Sequence, residues 1–185
     1  MSGAVGPADV AGVLSSRTPR LGGGHLVCVD GPSGSGKTTL AAALESTLGW
    51  RVVHLDDLYE GWAGLSRGLE DRILEGILTP LTRGEPGAYR RFDWHRDAFA
   101  EEHTVAPPAD GEALVLEGVG AGASPWADLI SALVWVEADR DVRLRRGLDR
   151  DGEAFAPHWE AWAAEEQRHF ARHRTRERAD LVLRT

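Results

Sequence analysis

Residues Gly31-Pro32-Ser33-Gly34-Ser35-Gly36-Lys37-Thr38 spell G-x-x-x-x-G-K-[ST], a spacing whose chemistry is the holding of a polyphosphate. A triphosphate needs many hydrogen-bond donors converging on it. Glycines let backbone N–H groups approach without side-chain interference, and a helix that follows adds its positive end. Lys37 is then expected on the β and γ phosphates, with the Thr38 hydroxyl on Mg²⁺. Gly31, Ser33, Gly34, Ser35, Gly36 and Thr39 make up the rest of the expected ATP-binding set.

Three further groups of residues have the types such a site needs. Asp56 and Asp57 follow the apolar run Val52-Val53-His54-Leu55, where a carboxylate can take the proton of an attacking hydroxyl. A turn or helix-cap aspartate is the alternative reading for either. Glu117 ends the apolar run Leu114-Val115-Leu116, and an acid there can hold Mg²⁺ or orient its water. Arg143, Arg145, Arg146 and Arg150 lie at helical spacings that let them face one cleft and offset phosphoryl charge. Asp139, Asp141, Asp149 and Asp151 are interleaved with them, so a solvated, salt-bridged surface helix is the competing reading.

The elements that must position these residues are legible from periodicity. Strands are expected at about 26–30, 51–55, 113–116, 133–136 and 180–183. Helices are expected at 37–48, where Gly49 stops the pattern, at 69–81, at about 140–150 and at about 157–176, with a short one near 126–130. Residues 88–106 fit a hairpin or irregular insertion better than a helix. Strands alternating with helices predict an α/β fold, a doubly wound parallel five-stranded sheet with helices on both faces, and ligands of such sheets bind at the carboxyl ends of the strands. All the residues named above fall at that edge. Residues 1–24, rich in Gly, Ala, Ser and Pro, are expected to be a loosely ordered leader before a single domain over 25–185.

Composition bounds the rest. A chain of 185 residues with 42% hydrophobic and 27% charged residues is of ordinary globular make-up and fits one domain. The net charge of −8 argues against a nucleic-acid-coating surface. No apolar stretch approaches the ~20 residues that cross a bilayer, so no membrane partner is expected. Cys28 is the only cysteine, within the first strand, which fits a small apolar role, a reducing compartment and a cytoplasmic location. His169 and His173 stand four apart on a helix, but no nearby cysteine or third histidine completes a site and Arg168, Arg172 and Arg174 would repel a cation. Among the tryptophans, Trp159 and Trp162 are at core spacing with Phe170, and Trp94, in the polar insertion, is the one suited to stacking a substrate ring.

The ordered set of phosphate loop, Asp56-Asp57-Leu58-Tyr59, Phe92-Asp93, Glu117-Gly118, Asp139-Arg140-Asp141-Val142-Arg143 with Arg145-Arg146, and Ala179-Asp180-Leu181-Val182 resembles the uridine kinase family of P-loop kinases. The resemblance runs from residue 26 to residue 185. It implies a P-loop kinase fold with a helical lid over Arg143–Arg150 that moves the ATP γ-phosphoryl to a nucleoside. It further implies Asp56 as the group accepting the sugar hydroxyl proton, Thr38, Asp56 and Glu117 around Mg²⁺, and Lys37 and Arg146 as catalytic cations. Tyr59, Phe92, Asp93 and Trp94 would line the acceptor pocket. The segment between Tyr59 and Leu69 is shorter than the family's substrate segment and carries no recognisable acidic ribose motif, so another small hydroxyl compound stays open as acceptor. Two further readings stay open as well. One is a nucleoside monophosphate kinase, for which Arg67, Arg72, Arg90 and Arg91 would bind a second phosphate. The other is a non-enzymatic adenine-nucleotide-binding regulator. A guanine-reading N-K-x-D motif is excluded because the chain has no asparagine. Self-association is also left open.

Overall fold

The structure, a computed structural model, describes residues 5–151 and 156–185, with the side chains of Arg150 and Asp151 outside the described set. Five parallel strands form its centre: β1 (His25–Asp30), β2 (Arg51–His54), β5 (Ala113–Glu117), β6 (Ala132–Glu137) and β7 (Leu181–Arg184). Their spatial order is β2-β5-β1-β6-β7. Register is set by pairs such as Val27 with Val115 on one side and Val27 with Ala132 on the other.

Period-two alternation explains why both faces are covered. Along β1, Leu26 and Cys28 enter one core while Val27 and Val29 enter the other. Strand β5 divides likewise, with Leu114 and Leu116 on the first side and Ala113 and Val115 on the second. The second core is closed by α2 (Lys37–Leu48) through Leu40 and Leu44. The first is closed by α3, a helix over residues 69–82 whose Leu69, Ile73, Ile77, Leu78 and Leu81 are all buried. At about 1.5–3 kcal/mol for each fully buried aliphatic side chain, that one face is a large share of the driving force. Residues Arg72–Leu78 within α3 are wound as a π-helix, a local widening that helices often carry at functional sites.

The remaining helices follow β6: α4 (Arg140–Asp151), α5 (Ala156–His173) and the single turn α6 (Thr175–Arg178). The insertion expected at 88–106 is an antiparallel hairpin of β3 (Gly87–Asp93) and β4 (Ala98–Val105), with an irregularity between Arg90 and Phe92. Among the described residues no helix is long and apolar enough to cross a membrane.

The expectation of a loose leader over 1–24 needs correction for the part described. Residues Pro7–Leu14 form α1, which packs against α2 and β6. Val10 and Leu14, one helical turn apart, are 0% and 6% exposed, and Asp9 accepts the Gly6 N–H to close the helix start. The sequence carries only a weak helical pattern around Asp9 to Arg17, and two buried side chains gain their weight from the surface they fill.

Candidate active site

The loop over residues 31–36 leaves β1 at its carboxyl end and enters α2 at Lys37, in the gap where the sheet order reverses direction. Two glycines are required there by close neighbours. Gly31 has φ +144°, and a Cβ on it would lie 2.0 Å from the Val136 carbonyl oxygen. Gly34, at φ +76°, would place a Cβ 2.5 Å from the Arg143 carbonyl oxygen. The first N–H groups of a helix have no intrahelical acceptor, so the opening turn of α2 presents donors at this edge. Lys37 is 7% exposed, its ammonium donating to the Pro32 carbonyl at 3.1 Å. Ser35 is fully buried and its hydroxyl has no protein partner. A cradle of backbone donors, one buried ammonium and an unmatched hydroxyl fits a polyphosphate.

Asp30, which the sequence reading passed over, holds this loop to the next. Its buried carboxylate accepts from Gly31 N at 2.7 Å, Gly120 N at 2.9 Å and Gly122 N at 2.8 Å. Burial pushes its pKa up to about 6 against the opposing pull of those three N–H bonds and of Lys37. An acid closing an all-apolar strand just before a glycine loop is the signal that could have found it. Cys28, in the same strand, is buried and burial raises its thiol far above the ordinary range, consistent with a packing role.

Beside the loop, Thr38 donates to Glu117 Oε1 at 3.3 Å, and Glu117 Oε2 meets His54 Nδ1 at 2.7 Å. Glu117 is 5% exposed, whereas Thr38 and Asp56 are exposed toward the cleft. The hydrogen bond to Glu117 raises the His54 pKa, with burial opposing and the charges of Asp57 and Asp56 assisting. Among the described residues no three His, Cys, Asp or Glu side chains converge as a metal cage. Mg²⁺ is ordinarily held by one or two carboxylates together with substrate phosphates. Thr38, Glu117 and Asp56 are the residues here with the hard oxygen donors for it.

Asp56 sits on the turn Leu55–Asp57 directly after β2, and Trp94 from the hairpin donates its Nε1–H to the Asp56 carbonyl at 2.9 Å. Trp94, 39% exposed, is edge-on to Phe92 and to Trp62. Trp62 in turn lies flat on His158, 4.5 Å between ring centres and 9° between planes. Tyr59 and Phe92, expected in the acceptor pocket, are each 2% exposed. The Tyr59 hydroxyl donates to the Val119 carbonyl at 2.8 Å and its ring meets Trp162 edge-on, so both rings form a wall behind Asp56. Asp93 accepts from the N–H groups of His95 and Arg96. It closes the hairpin turn, because an aspartate there can bond its own backbone two and three residues on.

The arginine helix does meet the phosphate loop. Arg143 donates to Ser33 O at 3.3 Å and Ala138 O at 3.2 Å and lies over the Trp159 ring. Arg146 reaches Gly34 O at 3.2 Å and the Thr185 hydroxyl at 2.8 Å. Burial lowers the Arg143 pKa, with Glu166 opposing. Arg140 pairs with Glu160, Arg145 is exposed, and the Arg150 side chain lies outside the described residues. The helix thus supplies two cations to the loop within an otherwise solvated surface.

The contact least visible in the sequence is Glu166 on α5. Its carboxylate, 2% exposed, accepts from Ser33 N at 2.7 Å and from Trp162 Nε1 at 2.7 Å, and lies 3.9 Å from Arg143. Trp162 also donates to the Ser33 hydroxyl at 2.8 Å. Further along α5, His169 and His173 have ring centres 4.3 Å apart, with His173 Nδ1 bonded to the Ser124 hydroxyl and Nε2 facing Glu70 at 3.3 Å.

A family model described as an AAA domain matches residues 27–154, more than half of the chain and all of the site from β1 to α4. The chain is a member of that AAA domain family. Over 140 residues this AAA domain is 27% identical to a uridine kinase of Halobacterium salinarum, covering 66% of this chain and 60% of that one. Over 128 residues it is 33% identical to a cytidylate kinase of Natronomonas pharaonis, covering 68% and 58%. The AAA domain therefore spans about 60% of the length of these curated relatives. In fold it is similar to a solved structure described as a possible uridine kinase from Bacillus stearothermophilus, with TM-score 0.66, 20% identity and 96% of each chain covered. The expected α/β P-loop fold is confirmed by that likeness and by the sheet order, and the resemblance to uridine kinases is sustained.

Proposed function

We propose that the protein is an ATP- and Mg²⁺-dependent phosphotransferase that moves a γ-phosphoryl group to a hydroxyl of a small molecule, most simply a nucleoside. The observation that carries this is the placement of an exposed carboxylate, Asp56, on the turn after β2 at the same strand edge as the phosphate loop, with Thr38 in contact with Glu117 between them in the sheet. Mg²⁺, when bound, supplies charge neutralisation on the phosphates. Lys37 binds the transferring end of the triphosphate, Arg143 and Arg146 close the loop from the α4 side, and Asp56 orients the acceptor hydroxyl and takes its proton. The aromatic group Trp62, Trp94 and Trp162 excludes water from the acceptor side, as a kinase must to avoid hydrolysis. No nucleic acid or membrane enters this reading, and a cytoplasmic setting suits it.

A nucleoside monophosphate acceptor is the second reading, favoured by the likeness to a cytidylate kinase. Three of the four arginines it would use are engaged elsewhere, and the fourth, Arg67, is exposed. Arg72 donates to the Leu58 carbonyl, Arg90 to the Ala100 and Phe99 carbonyls, and Arg91 to Glu101, which supports an uncharged acceptor. The test is ADP release from Mg-ATP across a panel of nucleosides, nucleoside monophosphates and hydroxylated metabolites, with Lys37→Ala and Asp56→Asn alongside. Acceptor-dependent release that both substitutions reduce by at least about a hundredfold is expected, the usual size of a lost acid–base group. Tight ATP binding with no acceptor stimulating turnover would refute the kinase reading in favour of a nucleotide-binding regulator.

A further inference from the structure

A cavity of about 440 Å³ opens beside the first turn of α2. It lies within the size range of pockets that take a small ligand. Gly36 and Thr39 form its edge toward the phosphate loop, and Arg146 and Thr185 its edge toward α4 and β7. Leu40 and Leu183 make its floor apolar, and the remaining side is closed by Val5, Gly6 and Pro7, the residues that lead into α1.

This placement decides between possible occupants. A triphosphate seated on the loop over residues 31–36 must continue into some space next to it, and a heteroaromatic base needs an apolar slot with a flat cation at one face. The cavity offers that slot, with the Arg146 guanidinium held in place by the Gly34 carbonyl and the Thr185 hydroxyl. We propose that the segment Val5–Pro7 is the outer wall of the base site, so that the stretch preceding α1 helps determine which nucleoside triphosphate binds and how tightly. The inference rests on the phosphotransferase reading for its triphosphate. The wall is held independently of any ligand, because α1 is anchored by Val10 and Leu14 on the second core and Gly6 N is fixed by the Asp9 carboxylate. Val5 itself is only partly buried and packs against that core's edge, which leaves it the freedom to face a ligand.

The experiment compares equilibrium binding of Mg-ATP and of inorganic tripolyphosphate to the whole chain, for the wild type, Val5→Glu and Val5→Trp. The first variant places a charge against an apolar slot, and the second fills the slot. Both are expected to weaken ATP binding by at least about tenfold, the penalty for burying an unpaired charge or overfilling a cavity, while tripolyphosphate binding stays within about twofold of the wild type. If ATP and tripolyphosphate both bind the two variants as they bind the wild type, the wall is elsewhere and the inference is overturned, with the kinase reading intact. If one variant does not fold, the other and the milder Val5→Ser give the same comparison. A wild type that binds neither ligand overturns the phosphate-loop reading itself, and this inference with it.

Discussion

Replacing Glu166 separates a structural clamp from an ordinary surface acid. Its Oε1 is the acceptor for Ser33 N–H and Trp162 Nε1–H, both at 2.7 Å, and its Oε2 lies 3.9 Å from the Arg143 guanidinium. In Glu166→Ala the partly buried Ser33 N–H loses its acceptor, at a cost of up to about 1–3 kcal/mol. Trp162 keeps its bond to the Ser33 hydroxyl and contributes little. Arg143 loses its anionic partner but retains two carbonyls, so its share falls at or below the low end of the roughly 3–5 kcal/mol found when a buried pair is broken. The sum is at least about 1 kcal/mol and at most about 6 kcal/mol. Glu166→Gln keeps a carbonyl oxygen for Ser33 and Trp162 and gives up only the attraction to Arg143, so about 1–2 kcal/mol is expected. Urea unfolding at pH 7.5, with the midpoint and slope fitted for each variant, reads the difference directly. Equal losses for the two variants, or an Ala variant within about 1 kcal/mol of the wild type, would refute the clamp. The same variants should lose affinity for tripolyphosphate in the same order, because Ser33 belongs to the loop that would bind it.

Acid sensitivity should trace to His169. Burial first, then the charges of His173 and Arg172, push its pKa down to about 3. The unfolded chain takes up a proton near 6.5 and the folded one does not, so its contribution is intact above pH 6.5 and falls as pH drops toward 3, by up to about 1.4 kcal/mol per pH unit. In His169→Phe the urea midpoint should fall less between pH 6.5 and 5. A residual slope is expected from His173, whose pKa is also lowered by burial, and an unchanged slope would refute the assignment. Gly31→Ala, which puts a Cβ 2.0 Å from the Val136 carbonyl at φ +144°, should cost at least about 2 kcal/mol from strain and overpacking together. A calorimetric midpoint equal to the wild type's would contradict the tight fit of the loop against β6.

The phosphate loop, the five strands and α3 could be read from the chain because each is a local pattern: fixed glycine spacing, short apolar runs between turn residues, apolar residues at helical intervals. The hairpin was legible for the same reason, since Tyr89 to His95 alternate poorly as a helix. Long-range partnerships were not. Glu166 is one of several acids on α5, and only the approach of Ser33, 133 residues away in sequence, distinguishes it from Glu165. Tyr59 and Phe92 were expected to line an acceptor pocket, and the depth to which each is buried, which depends on Trp162 and on the hairpin, is not written in the local sequence. Helix α1 showed only as a weak pattern because Val10 and Leu14 gain their significance from α2 and β6. For Asp93, composition could not separate a ligand-facing acid from a turn residue.

Lys37 has one more consequence. It is the only lysine among 185 residues, every other basic side chain apart from the histidines being arginine. Its ammonium is also folded inward on the Pro32 carbonyl and almost wholly covered. Reagents that acylate primary amines therefore meet a single side-chain target in this chain, at the residue whose charge the phosphate loop depends on. The extent of acylation at that one amine, read by mass, becomes a measure of how often the loop opens.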